Sequence, residues 1–147
     1  MFLLDTNVLS ELRRPERANP NVVHWANSVP VDQFFVSVMS LFEIERGALQ
    51  IARRDAVQAR VLRSWIDDHV LMGFANRILP VDNAVALQAA RLHVPDPRPE
   101  RDALIAATAL VHGMTVVTRN AADFAGTRVA LLNPWEADVN SQEAKCE

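Results

Sequence analysis

Residues 101 to 124 read RDALIAATALVHGMTVVTRNAADF. The stretch RDALIAATALVHG predicts a helix that is apolar on nearly every side and ends at Gly113, a usual helix terminator. A helix of that kind belongs in the middle of a molecule, not on its surface. A strand-like run, MTVVTRN, follows at once. A buried helix that leads straight into a strand needs a sheet to pack on, and the rest of the chain supplies one.

Further strands are read in MFLLD, QFFVSV and RVALLNP, with RILPVD as a short strand or extended link. Helical stretches separate them. TNVLSELRR ends at Pro15, and NPNVVHWANS has Pro20 near its start. SLFEIERGALQIARR keeps Leu41, Ile44, Ala48, Leu49 and Ala52 at roughly helical spacing. In AVQARVLRSWIDDHVLMGF, one face carries Val57, Val61, Leu62, Trp65, Ile66 and Val70. NAVALQAARL is a further helix, broken by the proline-rich VPDPRP. This alternation predicts an α/β fold: a central, mostly parallel sheet with helices on both faces. Such sheets bind ligands beyond the carboxyl ends of their strands. Here that rule selects Asp5 and the segment 118 to 123.

With 147 residues, half of them hydrophobic, the chain has the material for one compact domain. We place that domain at residues 1–135 and a polar tail at 136–147. The lone Cys146 excludes an intrachain disulfide and a cysteine metal site. MFLLDTNVLS lacks the basic start of a signal peptide, and no apolar run approaches the ~18 residues of a membrane span. The expected place is the cytoplasm.

The net charge of −3 would argue against a nucleic-acid partner, but it resides in the tail. Glu136, Asp138, Glu143 and Glu147 stand there against Lys145 alone. The body balances fourteen acids with fourteen bases, all arginine. Arginine grips phosphate in a bidentate fashion; an arginine-rich composition has the same appearance, so charge alone decides nothing. His24, His69, His93 and His112 show no ligand spacing, His112 suiting a helix C-terminus. No nucleophile elbow or phosphate-binding glycine motif occurs. Trp25, Trp65 and Trp135 read as packing residues.

Four carboxylates remain, each with two readings. Asp5 ends a strand and can cap the next helix. Glu43 can close a capping box with Ser40. Asp102 can serve as a first-turn acid, although at the mouth of a buried helix it needs a partner, and no base lies within that helix to provide one. Asp123 can cap a short turn. All four, however, lie at helix starts or strand-to-helix corners, which a parallel sheet can gather at one edge. Gathered, they would repel one another unless a cation joined them. Oxygen ligands of this kind favour Mg²⁺ or Mn²⁺.

FLLDTNVLSEL, SLFEIERGA, RDALIAATALVHGMTVVTRNAADF and the closing LLNPW, in that order, resemble the PIN domain. The likeness is to VapC-type toxins of bacterial toxin–antitoxin pairs, nearest the FitB-like subgroup, and spans residue 2 to about 135. It implies a metal-dependent endoribonuclease with its acids on Asp5, Glu43, Asp102 and Asp123. Thr6, Asn7, Thr118 and Asn120 would support them or contact phosphate. Mg²⁺ is the implied cofactor, with Mn²⁺ as substitute. The implied partners are RNA, an antitoxin, operator DNA reached only through that antitoxin, and a second copy of the chain. Arg13, Arg14, Arg46 and Arg119 are candidate backbone contacts. One departure stands out: RPERDALIAATA brings Arg98 and Arg101 to an approach that is shorter and more acidic in many relatives. The rival reading is a non-catalytic module of the same fold that binds RNA or protein through its metal.

Overall fold

A computed structural model describes residues 1–136. Five strands form one sheet: β1 (Phe2–Leu4), β2 (Phe34–Ser37), β3 (Ile78–Leu79), β4 (Thr115–Val117) and β5 (Leu131–Leu132). Their order across the sheet is β3-β2-β1-β4-β5. Every neighbouring pair is parallel, with Phe2 opposite both Phe34 and Thr115. The expected sheet is therefore present and wholly parallel. Its order turns at β1: the chain builds outward to β3 on one side, then returns to lay β4 and β5 on the other. The crevice between β1 and β4 is the switch point where such sheets take ligands.

Six helices connect the strands: α1 (Thr6–Leu12), α2 (Pro20–Asn27), α3 (Val38–Ala52), α4 (Ala56–Ser64), α5 (Asn83–Leu92) and α6 (Glu100–His112). Successive strand residues point to opposite faces, and the core divides accordingly. Leu3 and Val116 pack with Ile105, Ala106 and Ala109 of α6, together with Phe124. Leu4 and Val117 pack on the other face with Val8 and Leu9 of α1, flanked by Trp25, Trp65 and Trp135. The three tryptophans are thus packing residues, as expected.

The helix read at 101–113 is the central one. Its Ala103, Ile105, Ala106, Ala107, Thr108 and Ala109 are buried, and Gly113 ends it at φ 66°. Small residues along one side let α5 lie close, with Ala103 and Ala107 against Val85 and Ala89.

Three expectations need correction. The helix after β2 begins at Val38, capped by Ser37, whose Oγ accepts from the Met39 N–H at 3.0 Å. Ser40 is therefore inside the helix, fully buried, and no capping box joins it to Glu43. The long helix read at 56–74 is α4 followed by a π-helical stretch, Trp65–Leu71. Its apolar face also splits. Ile66 and Val70 pack on Ile44 and Ala48 of α3, whereas Val57 and Val61 stay exposed. The expected polar tail, with Cys146, lies outside the described residues apart from Glu136.

Candidate active site

Asp5 follows β1 directly, and its backbone N–H donates to the Val117 carbonyl at 2.9 Å, extending the β1–β4 pairing by one residue. Its side chain is 1 % exposed. Oδ1 accepts from the Thr6 N–H at 2.7 Å, so the capping role is real. Oδ2 accepts from the Thr118 hydroxyl at 2.8 Å. Capping therefore uses only part of this carboxylate.

Thr118, fully buried, orients Asp5. Its Oγ1 receives hydrogen bonds from Asn7 Nδ2 at 3.3 Å and from the Asn120 N–H at 3.1 Å. With both lone pairs engaged, the single hydroxyl hydrogen is directed to Asp5. Asn7 Oδ1 accepts in turn from the Arg119 N–H at 3.3 Å. The four polar residues Thr6, Asn7, Thr118 and Asn120 thus lock the ends of β1 and β4 around one acid.

Glu43 reaches the site from the second turn of α3, three residues past a fully buried Ser40. Its Oε1 accepts from Thr6 Oγ1 at 2.8 Å. Asp102 enters from the first turn of α6 and is 8 % exposed. Burial pushes its carboxyl above the ordinary aspartate range, and the charges of Asp123 and Asp5 add to that, while Arg101 opposes it. Asp123 stands in a one-turn helix, Ala121–Phe124, exposed at the rim. Its effect on Asp102 puts it in the same electrostatic neighbourhood. Among the described residues it makes no side-chain hydrogen bond or ion pair, and its recorded influence within the cluster is its charge acting on Asp102.

The residue that joins the acids is Arg101, inside α6. It supplies the base that the sequence reading found missing. Nε donates to Glu43 Oε1 at 2.8 Å, Nη1 to Asp102 Oδ1 at 3.0 Å, and Nη2 to Asp5 Oδ1. Nη2 also reaches Thr6 Oγ1 at 3.3 Å. Burial alone would lower the guanidinium's pKa, but the Glu43 hydrogen bond and the Asp5 charge outweigh it and raise it. One cation is shared by three acids, and Asp102 still titrates high. The four acids and Arg101 together carry three net negative charges. The signal for Arg101 was its place in the sequence, immediately before Asp102.

The donor set is chemically uniform: carboxylate and hydroxyl oxygens, with no imidazole or thiolate. Hard divalent cations suit such a set. Oxygens from Asp5, Glu43 and Asp102 already converge on one positive group. With the guanidinium between them, no three acidic, histidine or cysteine side chains among the described residues stand in cation-holding positions.

The remaining arginines singled out in the sequence lie apart from this cluster. Arg13 stacks over Trp65 at 5.9 Å, Arg46 over Phe42 at 5.0 Å and Arg119 over Trp135 at 5.5 Å. Arg119 alone touches the site's hydrogen-bond network, through its main chain. Arg98 is tied to the carbonyls of Leu92 and Ala125, at 2.8 and 3.2 Å, and holds the loop that leads to α6.

Comparison with known proteins gives the family and the fold. Toxin FitB of Neisseria gonorrhoeae is 35% identical over 140 residues, covering 92% of this chain and 99% of FitB. VapC ribonuclease Y4jK of Sinorhizobium fredii is 31% identical over 144 residues, covering 92% and 99% respectively. A solved structure of FitAB bound to an IR36 DNA fragment superposes with a TM-score of 0.85 at 35% identity, covering 94% of this chain and 98% of that one. The model of the PIN domain matches residues 2–128, and the chain belongs to the PIN-domain family.

Proposed function

We propose that the chain is a metal-dependent endoribonuclease and acts as the toxin of a toxin–antitoxin pair. The observation that carries this reading is the convergence of Asp5, Glu43 and Asp102 on a single cation at the switch point of a PIN-domain sheet. Asp5, Glu43 and Asp102, with Asp123 at the rim, would hold Mg²⁺, or Mn²⁺ in its place. When bound, the ion supplies positive charge to an RNA phosphate and acidity to a water. The chain's own groups provide position. Thr118 and the Thr6 N–H fix Asp5, Thr6 Oγ1 fixes one oxygen of Glu43, and α6 holds Asp102 on a stiff support. Asn7 and Asn120 brace Thr118, and Arg119 lies beside them as a phosphate contact.

Partners follow from the relatives. One is named a toxin, and a neighbouring structure is a toxin–antitoxin complex from Klebsiella pneumoniae. The expected partner is an antitoxin that covers the acidic site and through which operator DNA is met. No helix among the described residues is long and apolar enough to cross a membrane, and a cytoplasmic place suits an RNA substrate.

The test is incubation with structured RNA and, separately, with a chromogenic phosphate ester, in Mg²⁺ and in EDTA. RNA should be cut internally in Mg²⁺ alone, and the ester left intact. Binding of RNA without cleavage in either Mg²⁺ or Mn²⁺ would turn the assignment to the non-catalytic module. A cognate antitoxin that left the cleavage rate unchanged would remove the toxin role.

A further inference from the structure

Arg101 differs from the other structured arginines in what holds it. Arg98 is anchored to two main-chain carbonyls, and Arg63 to Glu45 on a neighbouring helix. Every hydrogen bond of Arg101's guanidinium goes to a group of the site: Asp5, Thr6, Glu43 and Asp102. No main-chain atom detains it, and its side chain keeps 31% exposure, so a path to solvent is open. Rotation of the side chain alone would free it, since α6 need not move.

Two cations cannot share this place. A small divalent cation needs its oxygens at ~2.0–2.1 Å. The planar guanidinium occupies the space between the same three carboxylates. A guanidinium also keeps its charge at any ordinary pH, so deprotonation offers no way out of the competition. Resting on the nuclease reading above, we propose that Arg101 is a resident occupant of the cation site and that divalent cation binding is an exchange for its guanidinium. Arg101 thereby sets the cation concentration at which the site loads, and it keeps the acids paired until then.

A ligand's apparent affinity falls by the fraction of molecules whose site is competent to receive it. If the guanidinium is in place in nine molecules of ten or more, removing it tightens binding at least about tenfold. Mn²⁺ binding should be measured by titration calorimetry on metal-stripped parent, Arg101→Ala and Arg101→Gln. Both variants should bind Mn²⁺ at least about tenfold more tightly than the parent. Without metal they should melt at lower temperature, and Mn²⁺ should raise their melting temperature more than the parent's. Millimolar guanidinium should weaken Mn²⁺ binding by Arg101→Ala and leave the parent unchanged. Arg101→Gln keeps a polar side chain of similar reach, so the comparison survives if the alanine variant folds poorly.

If parent and variants bind Mn²⁺ equally, or the variants bind it more weakly, the exchange is wrong while the metal site stands. If none of the three binds Mn²⁺, the exchange falls together with the nuclease reading beneath it.

Discussion

Thr118 and Asp5 lie 113 residues apart in sequence, and the hydroxyl of one donates to the carboxylate of the other at 2.8 Å in the buried centre of the site. The bond fixes the plane of a carboxylate that also receives the Thr6 N–H and Arg101. Thr118→Val keeps the shape and removes the donor. Leaving Asp5 Oδ2 and the Asn7 and Asn120 donors unsatisfied should lower stability by about 1–3 kcal/mol. RNA cleavage should drop about 10–100-fold, as when the support of a metal ligand is removed. Thr118→Ser should retain most of both. A valine variant with parental melting and cleavage would show that Asp5 needs no such support.

Asp5→Asn and Asp102→Asn should both reduce cleavage by orders of magnitude, yet their stabilities should diverge. Simple repulsion among four acids would have both variants gain stability in the absence of metal. The pairing with Arg101 changes that for Asp5, which loses charge-assisted bonds and should cost about 1–3 kcal/mol. Asp102 is an acid whose burial raises its pKa, so its ionised form burdens the folded state. Asp102→Asn should therefore equal or exceed the metal-free parent in stability at neutral pH. The advantage should shrink as pH falls from above the raised pKa toward the ordinary aspartate range, because the parent then takes up the same relief by protonation. Thermal melts of both variants between pH 7 and pH 3 would read this, and an advantage that grew on acidification would reverse the sign.

Glu45 supplies a pH dependence of the opposite sense. Arg63 grips it with two hydrogen bonds, each 2.8 Å, joining α3 to α4. The hydrogen bond from Arg63 holds the carboxyl below the usual glutamate range, with burial opposing it and the Arg63 charge adding to it. A lowered pKa gives stability that is present above the unfolded value and lost as pH falls through the folded one. Both side chains are more than a third exposed, at 39% and 38%, so solvent screens the pair. Glu45→Gln should cost a few tenths to about 1 kcal/mol at pH 7 and nothing at pH 2. A cost unchanged down to pH 2 would assign the effect to packing.

Much of this site was legible because carboxylates at strand ends obey simple rules of the parallel sheet. Asp5 and Thr118 follow strands whose apolar residues announce them, and Asp102 heads a helix too apolar to lie anywhere but the centre. The destination of Arg101 was hidden, because Asp5, Thr6 and Glu43 come from two distant segments that only the folded sheet brings to it. The Ser40-x-x-Glu43 spacing pointed to Ser40 as the cap. Ser37 wins because β2 runs to that residue, paired with Leu79, and α3 starts without a loop. RVALLNP shrank to a two-residue edge strand, with Arg128 turned to φ 64° just before it. One extra residue per turn in Trp65–Leu71 is likewise invisible to a pattern count.

Assembly can be tested on the surface that this division of α4 leaves bare. Val57 and Val61 are 65% and 47% exposed, and Phe42 and Leu49 on α3 are 54% and 57% exposed. A second copy of the chain is the expected cover. Sedimentation should give twice the 16.4 kDa chain mass at micromolar concentration, and Val57→Glu with Val61→Glu should shift it to the single chain. A monomeric parent would leave these residues as ordinary exposed hydrophobics.

The β1–β4 pairing also sets a schedule. Asp5 is made more than a hundred residues before the Val117 carbonyl and Thr118 hydroxyl that seat it. At ~5–20 residues per second, that wait is on the order of ten seconds. Throughout it the nascent chain carries a scattered set of acids and no cutting centre, while threaded through a machine built of RNA. If the chain is the nuclease proposed above, the order of its strands alone postpones a working centre until Thr118 has been made.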